Sequence, residues 1–173
     1  YFSAIFIGML YCPKLKGIVR FGIGMDNIDV EYAKKKNIIV KNVVAKSISQ
    51  AVSIHSIGLI LALTQNLKCH IDDSKSGKWL RHLNLFPKNT SIGVAGAGNI
   101  GQKVICYLIK LGFKVNYFSR KKKLNLKKKG AKFFKDLNDL INKSDIITVH
   151  LPSTKNEPPF FDKEKLNKMK NKY

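Results

Sequence analysis

The sequence predicts an α/β protein built on a parallel sheet. Short β-branched runs alternate with stretches of helical apolar spacing along most of its 173 residues, which is the pattern of βαβ units. A glycine-rich loop, GAGNIG at 96–101, separates one such run from the helical stretch that follows it. With 45% hydrophobic residues the chain can bury a core, and its length fits one large domain or two small pieces.

The first part of the chain predicts strand, helix and strand. Residues 2–10 are apolar and stop before Pro13, so they are expected to form a short helix or strand, and 17–21 is expected to be a buried strand. An acidic start and a cationic end suit the helix dipole and favour a helix over 29–36. Asn37 is its expected C-cap, and a strand over 38–40 follows.

Beyond this point helices and strands alternate regularly. Apolar residues recur at helical spacing over 49–67, the longest helix expected, and a polar helix ending near Gly77 is expected over 72–80. The later expected elements are the strand 90–95, the helix 99–111, the strands 114–118 and 133–134, the helix 136–143 and the strand 145–151. The basic stretch 120–129 is a low-complexity patch.

The formal net charge of +21 is far from average. A surface this basic suits nucleic acid, anionic lipid or an anionic substrate. Because the lysines are scattered rather than striped along one face, a generally Lys-rich composition is the favoured explanation. No nucleic-acid partner is therefore expected.

The cysteines, the apolar runs and the first residue limit the classes of protein to which this chain can belong. Cys12, Cys69 and Cys106 form no C-x-x-C pair, so neither a disulfide framework nor a metal site is expected. This cysteine pattern fits a cytoplasmic location. The longest apolar run, 54–63, is broken by His55 and Ser56 and is too short to cross a bilayer, so no membrane partner is expected. The chain opens on Tyr1 without a signal-like segment, which suggests a piece of a longer protein.

The glycine loop predicts a dinucleotide site. Gly96 would allow the tight turn, Gly98 would let the backbone approach a pyrophosphate, and Gly101 would let helix and strand pack closely. Amides at the start of the following helix would point at the phosphates. The motif alone is weak evidence for a dinucleotide site. Its place between a predicted strand and a predicted helix favours a bound coenzyme over a glycine turn without a ligand.

The end of the next strand indicates which coenzyme. NAD sites carry an acidic residue there, about 20 residues after the loop, which bonds the adenosine ribose. Here the strand ends in Ser119, Arg120 and Lys121. A hydroxyl and two cations suit a 2′-phosphate, which favours NADP over NAD. The alternative is that the cations only begin the solvated basic stretch.

A set of motifs is spread over nearly the whole chain. In order, the motifs are RFGIGMDNID (20–29), IVKN (39–42), IGLILAL (57–63), SGKW (76–79), GAGNIG (96–101) and DIITVHLP (145–152). With these motifs the chain resembles the D-isomer-specific 2-hydroxyacid dehydrogenases, most of all the branch containing D-3-phosphoglycerate dehydrogenase and the hydroxypyruvate and glyoxylate reductases.

The resemblance implies two domains and a set of site residues. Residues 1–43 would be part of a flavodoxin-like substrate domain, and 44–173 a Rossmann-like, doubly wound NAD(P)-binding domain that is truncated at its C-terminus. Arg20 and the amides of Ile23 and Gly24 would bind the substrate carboxylate or phosphate. The implied coenzyme residues are Gly96, Gly98, Asn99, Ile100, Gly101, Ser119, His150, Leu151 and Pro152, to which the argument above adds Arg120 and Lys121.

The resemblance also implies what the complete protein does. It would be an NAD(P)-dependent oxidoreductase that interconverts a D-2-hydroxy acid and its 2-keto acid, and a homodimer is expected. The family's catalytic Arg, acidic residue and His are expected beyond Tyr173, so no catalytic residue is assigned here and residues 1–173 alone are expected to be inactive.

The chain departs from the family pattern at Val43, Ile54 and 157–159, where a Pro-Gly turn, a glutamate and a threonine-centred turn would be usual. The alternative function is a non-catalytic, nucleotide-sensing protein similar to a corepressor and associated with nucleic acid.

Overall fold

The computed structural model describes residues 11–22, 24–25, 27–43, 46–152 and 159–169. Two compact units make up the chain, Tyr1–Ile48 and Ser49–Tyr173. Their boundary lies a few residues beyond the one expected after residue 43. The expected element over 2–10 lies outside the described residues.

The first unit contains two parallel strands joined by a short helix. Strands β1 (Gly17–Phe21) and β2 (Ile39–Val43) pair with Gly17 opposite Ile39. Helix α1 (Val30–Lys35) connects them. A strand–helix–strand unit with a parallel pair is what the sequence predicts for this part of the chain.

The ends of α1 show how its sequence limits it. The Asp29 carboxylate accepts a hydrogen bond from the Tyr32 amide at 2.8 Å and caps the first turn. At the other end the C-cap is Lys36 and not the expected Asn37. Asn37 follows with a left-handed φ of 55°, which ends the helix and leads into β2.

Strand β1 is not the buried strand that the sequence predicts. Val19 and Phe21 are 72% and 83% exposed, whereas Ile18 packs on a small cluster that contains Ile28 and Ala33. Alternate side chains of a strand point to opposite faces, and within this unit only one face of β1 is covered. The short β-branched run therefore did not establish burial on both faces of β1.

Two helices precede the main sheet, each several residues earlier than expected. Helix α2 covers Lys46–Thr64 and α3 covers Leu67–Lys75, against predictions of 49–67 and 72–80. The break falls at Asn66, which takes a left-handed conformation with φ 48° and donates a side-chain hydrogen bond to the Leu83 carbonyl. Helical apolar spacing continues through this break, so periodicity alone did not locate it.

Helix α2 is long and apolar enough, by length and composition, to cross a membrane. Its window Ser47–Thr64 has a mean hydropathy of 1.5 and is 22% buried. The sequence analysis considered only the shorter run 54–63, and therefore did not predict this. One side of α2 packs on the core of the second unit through Ile57, Ile60 and Leu61. Length and composition do not distinguish a membrane span from a helix covered by protein.

The second unit is built on a four-stranded parallel sheet with the order β5-β4-β3-β6. Its strands are β3 (Ser91–Ala95), β4 (Lys114–Phe118), β5 (Lys132–Phe134) and β6 (Ile146–Val149). Because β6 returns to the other side of β3, the strand order reverses between β3 and β6. Ligands of open α/β sheets bind at the carboxyl ends of the strands at such a reversal.

Short helices connect these strands. They are α4 (Asn99–Lys110), α5 (Leu124–Lys128), α6 (Leu137–Asn142) and, after β6, α7 (Lys163–Asn167). Helix α4 packs on the face of the sheet that carries Ile92 and Val94, and the fully buried Val104 and Leu108 join the core there. Helix α6 packs on the opposite face, where Leu140 lies beside Gly93. Helix α5 lies in the stretch that the sequence analysis treated as a basic low-complexity patch. Its one buried side chain, Leu126, is 0% exposed and attaches it to the core.

Candidate functional site

The carboxyl ends of three strands meet at the reversal in strand order. The amide of Gly96 donates to the carbonyl of Phe118 at 2.9 Å, which joins the end of β3 to the end of β4. The amide of His150 donates to the carbonyl of Ala95 at 2.7 Å, which joins the end of β6 to the same point. The glycine loop therefore leaves β3 from a fixed position between its two neighbours.

Gly96 and Gly101 are required by the packing of the protein itself. Gly96 has a φ of +105°, and a Cβ on it would lie 2.5 Å from the carbonyl oxygen of His150. A Cβ on Gly101 would lie 1.9 Å from the carbonyl oxygen of Gly96. These contacts match the tight turn and the close helix–strand approach that the motif predicts.

Gly98 differs, because a Cβ there would meet no heavy atom within 4 Å and its φ of −78° suits any residue. It is the N-cap of α4, and no side chain caps that helix. The first helical bond runs from the amide of Gln102 to the carbonyl of Gly98 at 3.0 Å. The amides of Asn99, Ile100 and Gly101 precede it in the first turn, where backbone donors have no intrahelical acceptor.

This arrangement fits a dinucleotide pyrophosphate. A helix start with free amides and the positive end of the helix dipole binds anions without further help. The absence of a side chain on Gly98 leaves open the space through which a phosphate would approach. The protein's own packing gives no other reason for glycine at this position.

The turn after β4 is closed on itself. The hydroxyl of Ser119 donates to the carbonyl of Lys121 at 2.7 Å, while Arg120 and Lys121 are exposed. The hydroxyl of Tyr117, 0% exposed, accepts from the amide of Lys123 at 3.0 Å and contacts the carbonyl of the same residue at 3.2 Å. The turn that carries the two cations is thus held at both ends.

The sequence analysis did not single out Tyr117. A phenol hydroxyl inside a buried strand must find a partner, and that requirement was the available signal. The Ser119 hydroxyl was assigned to a coenzyme phosphate, but the structure shows its proton used within the turn. Arg120 and Lys121 lie exposed in the same turn.

The end of β6 supplies a wall beside the loop. The Nε2 atom of His150 lies 2.9 Å from the hydroxyl of Thr148, and Leu151 and Pro152 follow it. Burial lowers the pKa of His150 below its usual value of 6.5. The imidazole is therefore neutral at physiological pH and carries no charge toward a ligand.

The expected substrate residues lie in the first unit. Ile23 is outside the described residues, and Gly24 is exposed in the loop after β1. Arg20 is half-buried, and its Nη1 atom is a buried nitrogen that has no hydrogen-bond partner in the part of the chain that the structure describes. An unpaired guanidinium nitrogen is costly, and an anion would satisfy it.

Comparison with known proteins decides the family. Residues 57–173 match the model of "D-isomer specific 2-hydroxyacid dehydrogenase, NAD binding domain". The chain belongs to this family. The match confirms the resemblance, the α/β fold and the NAD-binding domain that the sequence predicts.

Individual 2-hydroxyacid dehydrogenases extend the match into the first unit. The chain is 36% identical to D-3-phosphoglycerate dehydrogenase of Methanocaldococcus jannaschii, over 91% of this chain and 30% of that protein. It is 35% identical to hydroxypyruvate reductase of Thermotoga maritima, over 91% of this chain and 51% of that protein. The chain therefore spans about a third to a half of the length of these relatives.

A solved structure of the family agrees with this fold. D-lactate dehydrogenase from Aquifex aeolicus, complexed with NAD and lactic acid, superposes with a TM-score of 0.81 at 34% identity. The superposition covers 91% of this chain and 48% of that one.

Proposed function

We propose that this chain is the coenzyme-binding part, with some of the substrate-binding part, of an NAD(P)-dependent oxidoreductase that acts on a D-2-hydroxy acid. The observation that carries the proposal is the uncapped start of α4, with open space over Gly98, in a chain of this family. The relatives named above act, by their names, on phosphoglycerate, hydroxypyruvate and lactate, so we propose the same class of small acid, with glyoxylate included.

A coenzyme bound here would supply hydride transfer between nicotinamide and the acid carbon. The residues of this chain would hold it in place. The amides of Asn99, Ile100 and Gly101 bind the pyrophosphate, with Gly96 and Gly98 shaping the loop before them. His150, Leu151 and Pro152 form a wall beside the loop, and burial lowers the pKa of His150, which favours its neutral form there.

For the substrate, we propose that Arg20 and the amides of Ile23 and Gly24 bind the carboxylate. The buried, unpartnered Nη1 atom of Arg20 supports an anionic ligand for that side chain. Among the described residues, none is proposed as proton donor or acceptor. Residues 1–173 alone are thus expected to bind coenzyme without turning over hydroxypyruvate or glyoxylate.

For the coenzyme, NAD is supported by the family domain, and we propose a preference for NADP. No carboxylate follows β4 to bond a ribose 2′-hydroxyl, and the exposed Arg120 and Lys121 occupy its place. The planar fork of Arg120 can pair with two phosphate oxygens. The held turn between Tyr117 and Lys123 keeps both cations near the end of β4.

The test is calorimetric titration of the purified chain with NADH and NADPH. Binding of both, with the phosphorylated form tighter, is expected. Absence of heat with either would overturn the coenzyme proposal, and tighter binding of NADH would overturn the NADP preference alone. Oxidation of NADPH by the chain with glyoxylate would contradict the expected inactivity.

We also propose that the complete protein is a cytoplasmic homodimer. The second unit exposes large apolar side chains along α2, α3 and the segment before β3, among them Ile54, Leu59, Leu63, Trp79 and Leu83. Trp79 and Leu83 are 94% and 92% exposed, and such patches usually contact protein or membrane. The free Cys12, Cys69 and Cys106 suit a reducing compartment. Sedimentation in detergent-free buffer tests this proposal; a monomer, or a protein that needs detergent, would contradict it.

A further inference from the structure

A concave cationic surface lies at the amino edge of the main sheet, at the opposite end of the strands from the glycine loop. Its volume is about 640 Å³, and it is lined by the first residues of β3, β4 and β5 and by the turns beside them. We refer to it as the amino-edge cavity. Four lysines line it, namely Lys114, Lys129, Lys132 and Lys143.

The described lining of the cavity carries positive charge only. No carboxylate is among its lining residues, and all four lysines are exposed. Across the described ranges, the ion pairs are made by other lysines and one histidine. The acidic group beside the cavity, Asp145, accepts a hydrogen bond from the amide of Ser91 at 2.9 Å. Charges of one sign around a concave wall concentrate their field in the cavity.

The neutral polar groups of the cavity are already used. The hydroxyl of Ser91 and the side-chain amide of Asn116 both donate to the carbonyl of Lys143, each at 2.9 Å. The same amide of Asn116 lies 2.9 Å from the hydroxyl of Ser91. Because these neutral groups are hydrogen-bonded to one another, the lysine ammonium groups are the groups that would bind a ligand in the cavity.

The ammonium groups keep donors free. Lys129 lies 3.3 Å from the sulfur of Cys106, a weak acceptor, and Lys132 lies 5.3 Å from the centre of the Phe134 ring. Neither contact uses more than one of the three N–H groups of an ammonium. Lysine binds phosphate as a point charge with rotatable donors, which suits a ligand carrying several anionic groups.

We propose that the amino-edge cavity binds a small polyanion carrying two or more phosphate groups. Its volume falls within the roughly 300–1,000 Å³ of small-molecule sites. The cavity is small compared with the surface of a nucleic-acid duplex, so a small polyanion is the proposed ligand and duplex DNA is an outcome of the test. The site is separate from the glycine loop, because it lies at the other end of the same strands.

The experiment titrates inorganic tripolyphosphate into the purified chain at low ionic strength. The test variant is Lys132→Gln/Lys143→Gln, and the matched control is Lys34→Gln/Lys163→Gln, which removes the same charge at exposed positions outside the cavity. Loss of two of the four ammonium groups is expected to weaken binding at least about tenfold, with the control unchanged. Circular dichroism of both variants is expected to match that of the parent chain.

Three further outcomes decide the proposal. Tripolyphosphate binding that survives in Gly98→Val supports it, because the glycine loop is then not the site. Equal weakening in both double variants would overturn it, since general charge would explain the binding. A chain that binds duplex DNA but not tripolyphosphate would also overturn it.

Discussion

Replacing Gly98 by Val separates a coenzyme-binding role of the glycine loop from its role in folding. A Cβ at this position meets no heavy atom within 4 Å, and its φ of −78° suits valine. The folded chain therefore accepts the substitution. The new side chain occupies the open space in front of the first amides of α4, where a pyrophosphate would lie.

The size of the effect follows from the bonds that are lost. A phosphate moved away by a methyl-sized group no longer reaches the amides of Asn99 and Ile100. A hydrogen bond to a charged group contributes about 1.5–3 kcal/mol, so loss of two costs about 3–6 kcal/mol. The dissociation constant is then expected to rise about 10²- to 10⁴-fold.

Isothermal titration with NADH and NADPH measures the change. Gly58→Val is the matched control, because Gly58 also has open space at its Cβ and an ordinary φ but lies in the middle of α2. The control is expected to bind as the parent chain does, and both variants are expected to keep a cooperative thermal transition. Undiminished coenzyme binding by Gly98→Val would refute the reasoning, because the pyrophosphate would then lie elsewhere.

Other substitutions test the remaining parts of the site. Gly101→Ala places a Cβ against the carbonyl of Gly96, so the melting temperature is expected to fall by about 5 °C or more, with Gly58→Ala as control. Arg120→Ala is expected to weaken NADPH about 10- to 100-fold and NADH little, measured by titration beside the exposed control Lys128→Ala. Tyr117→Phe leaves the amide of Lys123 without its acceptor, so a lower melting temperature and weaker NADPH binding are expected. Burial lowers the pKa of His150, so the unfolded chain binds a proton more readily than the folded one. Melting temperature is therefore expected to drop as pH falls below about 6.5, and His150→Gln is expected to reduce that drop; equal pH profiles would contradict it.

Local sequence signals predicted the parts of the fold that local chemistry fixes. The strand 114–118 was predicted at its observed bounds, because a short apolar run between a glycine turn and a basic segment leaves few alternatives. The glycine loop was also predicted, since a strand, three spaced glycines and a helix start form one contiguous unit. The helix predicted over 136–143 is observed as Leu137–Asn142, and the side chain of Asp136 caps its start.

Features that depend on distant parts of the chain were not predictable in this way. The exposure of β1 depends on what covers its faces, which periodicity does not report. The break at Asn66 depends on a bond to the Leu83 carbonyl, 17 positions away. The Ser119 hydroxyl can donate either to the carbonyl of Lys121 or to a coenzyme phosphate. The sequence does not distinguish these two acceptors, whereas the structure shows the bond to Lys121.

Asn116 has a consequence for how the sheet assembles. Its side chain is 8% exposed and bonds at once to a residue of β3 and to the turn that leads into β6. A shift of the β4 register by one residue would place that amide among apolar neighbours without a hydrogen-bond partner. The shifted pairing is therefore disfavoured relative to the native register. We therefore expect β3, β4 and β6 to lose their protection from deuterium together, as one cooperative block, while the edge strand β5 opens separately.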